Sequence, residues 1–219
     1  QVPGAVREHL LRADPAQETV KAEEFLRTRF RMFSIMPPHL GMLSTARHRA
    51  EELGLRAHIL YDFVCCEAAP AGILAAAMAR RVAKCGEPFE PPCALIGGGE
   101  FVVTVRHEKG MGGRNQEWAL AAARQIDGSR NIVMASVDSD GTDGPGHQFG
   151  GGPEEVPVLA GGLVDGETAA RARVLGLDLD AALQHHDTSP ALYKLDSDVV
   201  ASPNVSMNDL TVTLVLGRD

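Results

Sequence analysis

The sequence predicts an α/β fold, a three-layer domain in which a mixed, largely parallel sheet is flanked by helices. Three observations carry the prediction. Strand-like and helix-like segments alternate along most of the chain. Residues 132–137 are apolar but for Ser136 and show no alternation, the pattern of a strand buried on both faces at the centre of a sheet. Residues 93–97 and 101–107 are two strand-like runs joined by Gly97-Gly98-Gly99, which reads as a hairpin and makes the sheet mixed rather than purely parallel.

Taken in order, residues 1–28 are polar and broken at Pro3-Gly4 and Pro15, and read as a linker with one or two short helices. Residues 29–35 look extended and end at Pro37-Pro38. Leu40, Leu43, Ala46, Ala50 and Leu53 then recur at helical spacing until Gly54. A short β-type run at 56–61 precedes an alanine-rich helix at 67–84, stopped by Cys85-Gly86. After the 93–107 hairpin, residues 115–126 place Trp118, Ala122 and Ile126 on one helical face, and strand 132–137 follows. Residues 138–166 form a long Gly, Asp and Pro loop of the kind that carries function. Helical patterns at 167–174, 180–185 and 189–195 and a final alternating strand at 210–216 complete the chain.

A length of 219 residues admits one large or two small domains. With 44% hydrophobic and 23% charged residues and no apolar run of bilayer length, the composition is that of a soluble globular protein and excludes collagen, disorder and membrane spans. The net charge of −8 has the wrong sign for a phosphate-backbone binder, so no nucleic-acid partner is expected. Residues 138–219 hold 14 acids and 4 bases against 15 and 17 in residues 1–137, an asymmetry that fits a solvated acidic face or a cation site. Cys65, Cys66, Cys85 and Cys93 show no metal or disulfide framework. With no signal-like start, reduced thiols and a cytoplasmic location are expected. Gln1 in place of Met points to part of a longer polypeptide.

Two segments carry chemistry. Residues 109–117 run glycines from a strand end into a helix start, where backbone N–H groups and the helix N-terminus can cradle an anion and Arg114 offers a rigid fork. They match neither a P-loop nor the dinucleotide fingerprint, and a plain β-to-α turn with Arg114 in solvent is the other reading. Asp138, Asp140 and Asp143 follow the most buried strand, at the end of an α/β sheet where ligands bind, and their spacing suits Mg²⁺ held by one or two carboxylates. A solvated loop of Asx turns is the alternative. His185-His186-Asp187-Thr188 could hold an oriented base, but Asp187 before Thr188-Ser189-Pro190 reads better as a helix N-cap.

In order, Gly97-Gly98-Gly99-Glu100, Val102-Val103-Thr104-Val105, Gly112-Gly113-Arg114-Asn115-Gln116-Glu117 and Asp140-Gly141-Thr142-Asp143-Gly144-Pro145 are followed by Gly162-Leu163-Val164-Asp165-Gly166, His186-Asp187-Thr188 and Asn208-Asp209-Leu210. Together they resemble the C-terminal part of the glycerate 2-kinases of the MOFRL type, over roughly residues 30–216. The resemblance implies transfer of the ATP γ-phosphoryl group to the 2-hydroxyl of D-glycerate or a related hydroxy acid. It also implies a preceding Rossmann-like N-terminal domain on the same polypeptide, making residues 29–219 the C-terminal domain and the isolated chain inactive. Arg114, Asp140 and Asp143 are then the expected catalytic residues. Gly112, Gly113, Asn115, Glu117 and Glu100 are expected to contact the ATP, and Asp138 and Asp140 the Mg²⁺. Two departures from the family pattern stand out: an insertion at 146–159, and residues 201–210 without the family's two glycines. A non-catalytic anion or sugar-acid binding domain and a hydroxypyruvate reductase are the competing readings.

Overall fold

The computed structural model describes residues 2–17, 19–29, 31, 38–106, 110–145 and 155–218. The chain divides into two compact units, Gln1–Ile35 and Met36–Asp219. The first contains helices α1 (Gly4–Arg12) and α2 (Ala22–Arg27) and a 3₁₀ turn at Pro15–Gln17, none with a buried residue. The expected extended run at 29–35 lies outside the described residues except for Arg29 and Arg31, as does most of the insertion, residues 146–154.

The second unit begins with α3 (Pro38–Glu52), β1 (Arg56–Val64), α4 (Ala68–Cys85), β2 (Cys93–Gly99), α5 (Arg114–Gln125) and β3 (Ile132–Asp138). It continues with β4 (Gly161–Asp165), α6 (Thr168–Val174), α7 (Leu179–Gln184), α8 (Thr188–Lys194), β5 (Asp198–Val199) and β6 (Asp209–Val215). The α4 helix forms because its alanines lose almost no side-chain entropy, and it stops where Gly86 takes φ +68°.

The sheet order is β1-β2-β6-β3-β4-β5. The fold is α/β with a mixed sheet as expected, but the expectation of a largely parallel sheet is corrected: only β1 and β2 pair in parallel, and every other neighbouring pair is antiparallel. The strand–helix alternation does send β1, β2 and β3 the same way. The last strand, β6, inserts between β2 and β3 running against both, so the pairings become antiparallel without reversing those strands. The 101–107 strand is not formed over its described part. The chain leaves the sheet after Gly99, at φ +139°, and Val102 makes a single bridge with Glu67. The 138–166 segment, expected to be loop throughout, contains β4.

Helices cover both faces. Alternate residues of β2 part between them: Ala94 and Ile96 pack with Leu43 and Ala50 of α3. Cys93 and Leu95 pack with α4 and α5 on the other side. Residues 115–123 of α5 are all buried. Trp118 is fully enclosed, and burying an indole of about 150–250 Å² is worth about 4–6 kcal/mol. The α4–α5 approach depends on Gly72, where a Cβ would run into the Trp118 carbonyl.

Candidate active site

Direction and register bring the chemistry to one sheet edge. Asp138 ends β3 and pairs across from Asp209, which opens β6. Asp209 also pairs with Gly99 at the end of β2. Because β1, β2 and β3 all finish here and α5 begins here, this is the carboxyl end of the strands, where open α/β sheets bind ligands.

Asp209, fully buried, is the hub. Its carboxylate accepts from Arg114 Nε at 3.0 and 2.9 Å, from Asn115 Nδ2 at 2.7 Å and from Phe101 N at 2.8 Å. Arg114 Nη2 donates to Asp138 Oδ2 at 2.6 Å and lies 3.9 Å from Glu100 Oε1. Burial works against the Arg114 charge, but the Asp209 bond and the Asp209, Asp138 and Asp143 carboxylates outweigh it and hold the guanidinium above its ordinary value. The side chain stays 25% exposed, so the fork is fixed on one edge and reaches solvent on the other.

The helix N-terminus expected to cradle an external anion already holds one from the protein. Asp143, 2% exposed, accepts from Asn115 N at 3.1 Å, Gln116 N at 2.9 Å and Asn115 Nδ2 at 3.2 Å. Gln116 Nε2 donates to the Asp143 carbonyl at 2.7 Å. Burial pushes the Asp143 carboxyl up to about 6 despite these donors. Gly113 is obligatory because a Cβ would strike Asp143, and Gly144, at φ +88°, passes directly over the Gly112 carbonyl.

Asp138 is pushed up by burial, against the pull of the Asp140 amide and Arg114. Its Oδ1 accepts from Asp140 N at 3.2 Å and its Oδ2 holds Arg114. Asp140 is held below the ordinary range chiefly by Thr142, whose N and Oγ1 donate to Oδ1 at 2.8 and 2.7 Å. No group of three His, Cys, Asp or Glu side chains forms a metal cage among the described residues. Mg²⁺ at nucleotide sites needs only one or two carboxylates, completed by water and phosphate. Five carboxylates, those of Asp138, Asp140, Asp143, Asp209 and Glu100, against one guanidinium give the local excess of negative charge a divalent cation suits. Asp140, partly exposed, fits such a role. Asp138, with both oxygens engaged, fits it only through water.

On the same face of α5, one turn beyond Arg114, Glu117 Oε1 lies 2.7 Å from His186 Nδ1. Burial pushes Glu117 up, and the His186 bond pulls against it. Asp187 does sit at the N-cap of α8, but its side chain makes no cap bond; Oδ1 instead accepts from Met111 N at 2.9 Å. Gln116 Oε1 accepts from Ser189 Oγ at 2.6 Å and Thr188 Oγ1 at 3.2 Å, locking the start of α5 to α8.

The structure therefore brings Arg114, Asn115, Glu117, Glu100, Asp138, Asp140, Asp143, Gly112 and Gly113 to one end of the sheet. Sequence reasoning places Asp209 and Gln116 in motifs but gives them no role, and leaves His186 undecided. The pairing of β6 with β3 across from Asp138 would have exposed Asp209, but no local pattern specifies that pairing.

The MOFRL family model matches residues 93–209. The chain is 33% identical over 221 residues to a glycerate 2-kinase from Pyrococcus horikoshii, an alignment covering all of this chain and 47% of that protein. It is 37% identical over 172 residues to a D-glycerate 2-kinase from Thermotoga maritima, covering 78% of this chain and 38% of the relative. An Agrobacterium vitis protein bearing a hydroxypyruvate reductase name is 33% identical over 175 residues. Among solved structures, a glycerate kinase from Thermotoga maritima superposes with a TM-score of 0.72 at 36% identity, over 80% of this chain and 39% of its own. A Pyrococcus horikoshii protein superposes with a TM-score of 0.76 at 30% identity, over 99% and 47%. The chain thus spans about half the length of the curated relatives it matches. With the family model covering more than half of its residues and including both Arg114 and Asp209, the chain belongs to the MOFRL family.

Proposed function

We propose that this chain supplies the phosphoryl-binding side of a glycerate 2-kinase, which moves the γ-phosphoryl group of ATP to the 2-hydroxyl of D-glycerate. One observation carries the reading: Arg114 is fixed by Asp209 and Asp138 at the carboxyl end of the strands, with part of its fork open to solvent. Phosphoryl transfer is catalysed mainly by positioning and by stabilising charge on the transferred group, and a rigid guanidinium needing no reorganisation suits that task.

In this reading Asp209 and Asp143 are positioning residues. Asp209 aims Arg114, and Asp143 fixes the α5 N-terminus together with Gly112, Gly113 and Asn115. Glu100 borders the open edge of Arg114. Asp140, with Asp138 through water, would hold Mg²⁺, which when bound neutralises charge on the nucleotide phosphates. An N-terminal domain closes the cleft and completes the ATP and glycerate sites, because reacting groups must be held on both sides to be aligned.

The test is a coupled assay of ADP release with D-glycerate. It compares the 219-residue chain with a fusion in which the chain replaces its matching 47% of the Pyrococcus horikoshii relative. The fusion is expected to turn over and the chain alone not to. Arg114→Ala in the fusion is expected to lower kcat by about 10²–10³, the effect of losing one pre-aimed donor. An Arg114→Ala fusion running at full rate overturns the assignment. The hydroxypyruvate reductase name of one relative is addressed by the same proteins, which are expected not to oxidise NADH with hydroxypyruvate.

A further inference from the structure

Beyond Arg114, the same face of α5 carries Glu117, which the resemblance places at the ATP and the structure pairs with His186. Glu117 is 5% exposed, and its described ionic partner is the His186 ring at Nδ1. His186 sits at φ +54°, a conformation uncommon for a residue with a side chain, and strain of this kind collects at functional sites. Its backbone lies so close to Gly110 and Gly112 that neither has room for a Cβ. On its other side Asp187 Oδ1 accepts from Met111 N at 2.9 Å, and Ser189 N donates to the Met111 carbonyl at 2.8 Å. The imidazole is thus anchored through its backbone and through one ring nitrogen.

The other nitrogen differs. His186 Nε2 has no partner among the described residues, and the ring keeps 19% of its surface in solvent. The buried described side-chain atom left without a bond is Trp118 Nε1, so Nε2 is not sealed in the interior. A carboxylate on Nδ1 and a bare Nε2 facing accessible space is the arrangement of an oriented base.

We propose that His186, oriented by Glu117, is the general base that takes the proton of the acceptor hydroxyl. This rests on the phosphoryl-transfer reading. As the acceptor oxygen forms its bond to the γ-phosphorus, its proton passes to Nε2. The bond from that phosphorus to the β-phosphate bridging oxygen breaks, the electron pair leaves on ADP, and the imidazolium then returns its proton to solvent. Glu117 is the positioning residue, fixing the tautomer with Nδ1 protonated. Arg114 one turn earlier on α5 faces the phosphoryl group, so base and electrophile anchor share one helix face. Among the described residues, the charged groups around the ring are Glu117 from α5, Glu67 acting on Glu117 from the turn before α4, and Asp187 beside it.

Two measurements test this. Long-range ¹⁵N–¹H correlation on the 219-residue chain, with His186 assigned by its loss in His186→Gln, is expected to show the neutral ring protonated at Nδ1 and bare at Nε2. Glu117→Leu, which offers Nδ1 no acceptor, is expected to abolish that preference. A ring protonated at Nε2 overturns the proposal whatever the enzyme's activity. In the glycerate-active fusion, His186→Ala is expected to lower kcat by about 10²–10⁴ with KM within about threefold, and added imidazole to restore part of the rate. Unchanged kcat, or a loss carried by KM with no imidazole rescue, overturns the proposal. A parent fusion without glycerate turnover instead strikes the kinase reading, and the tautomer measurement still decides the geometry.

Discussion

Asp209→Ala removes the acceptor of three donors at once, and the structure lets the cost be estimated. Phe101 N lies 2.8 Å from the carboxylate, Asn115 Nδ2 2.7 Å and Arg114 Nε 2.9 Å. Asp209 is 0% exposed, so water has no open route to replace it. An orphaned buried donor costs about 1–3 kcal/mol, and removing one partner of a buried ion pair about 3–5 kcal/mol. Arg114 keeps Asp138 and is partly solvated, which puts the charged share at the low end. Asn115 Nδ2 keeps Asp143 Oδ1 at 3.2 Å, so the orphaned Phe101 N at about 1–3 kcal/mol and the ion pair at about 3 kcal/mol sum to about 4–6 kcal/mol, a large part of the stability of an ordinary domain. Urea unfolding at pH 7, extrapolated linearly with m compared between proteins, measures it. Asp209→Asn keeps one acceptor oxygen and should lose about half as much. A loss below about 1.5 kcal/mol for Asp209→Ala at unchanged m would refute the reasoning, because it would mean that the three donors find other partners.

Asp143 predicts an unusual pH dependence. Its carboxyl ionises at about 6 in the fold against an ordinary 3.8, so the folded state holds the proton more tightly than the unfolded chain. Its contribution is complete below about pH 4 and is lost as pH rises through about 6, a fall of about 3 kcal/mol. Calorimetric Tm against pH should show that fall, and Asp143→Asn should flatten it; a wild-type stability that climbs across the window contradicts the burial argument. Gly72→Ala gains helix propensity but drives a Cβ into the Trp118 carbonyl, so the helices must part. A net cost of about 1–3 kcal/mol lowers Tm by about 2–10 °C, and a Tm at or above wild type would show that the α4–α5 contact is not close.

The helices were legible because their signals are local. Alanine content and the Cys85-Gly86 stop define α4, the spacing of Leu43, Ala46 and Ala50 defines α3, and the glycines before Arg114 place the start of α5. The 101–107 strand was misread because alternation reports a face, not a partner, and Phe101 spends its backbone N–H on Asp209. The site was half legible. Arg114, Asp138 and Asp143 stand out as a glycine-flanked base and a loop of acids. What each touches did not stand out, and Asp187 was assigned a cap bond that its carboxylate gives to Met111 instead.

The sequence by itself determined the α/β class, the helix limits and the end of the sheet where the polar residues gather, since these follow from periodicity, capping and the alternation of elements within a few turns of chain. Only the tertiary structure decided that β6 runs between β2 and β3, that Asp209 meets Arg114 across 95 residues and that His186 meets Glu117 across 69. Those pairings are set by which faces bury together and which buried charges find partners, and a local window of sequence carries no record of either.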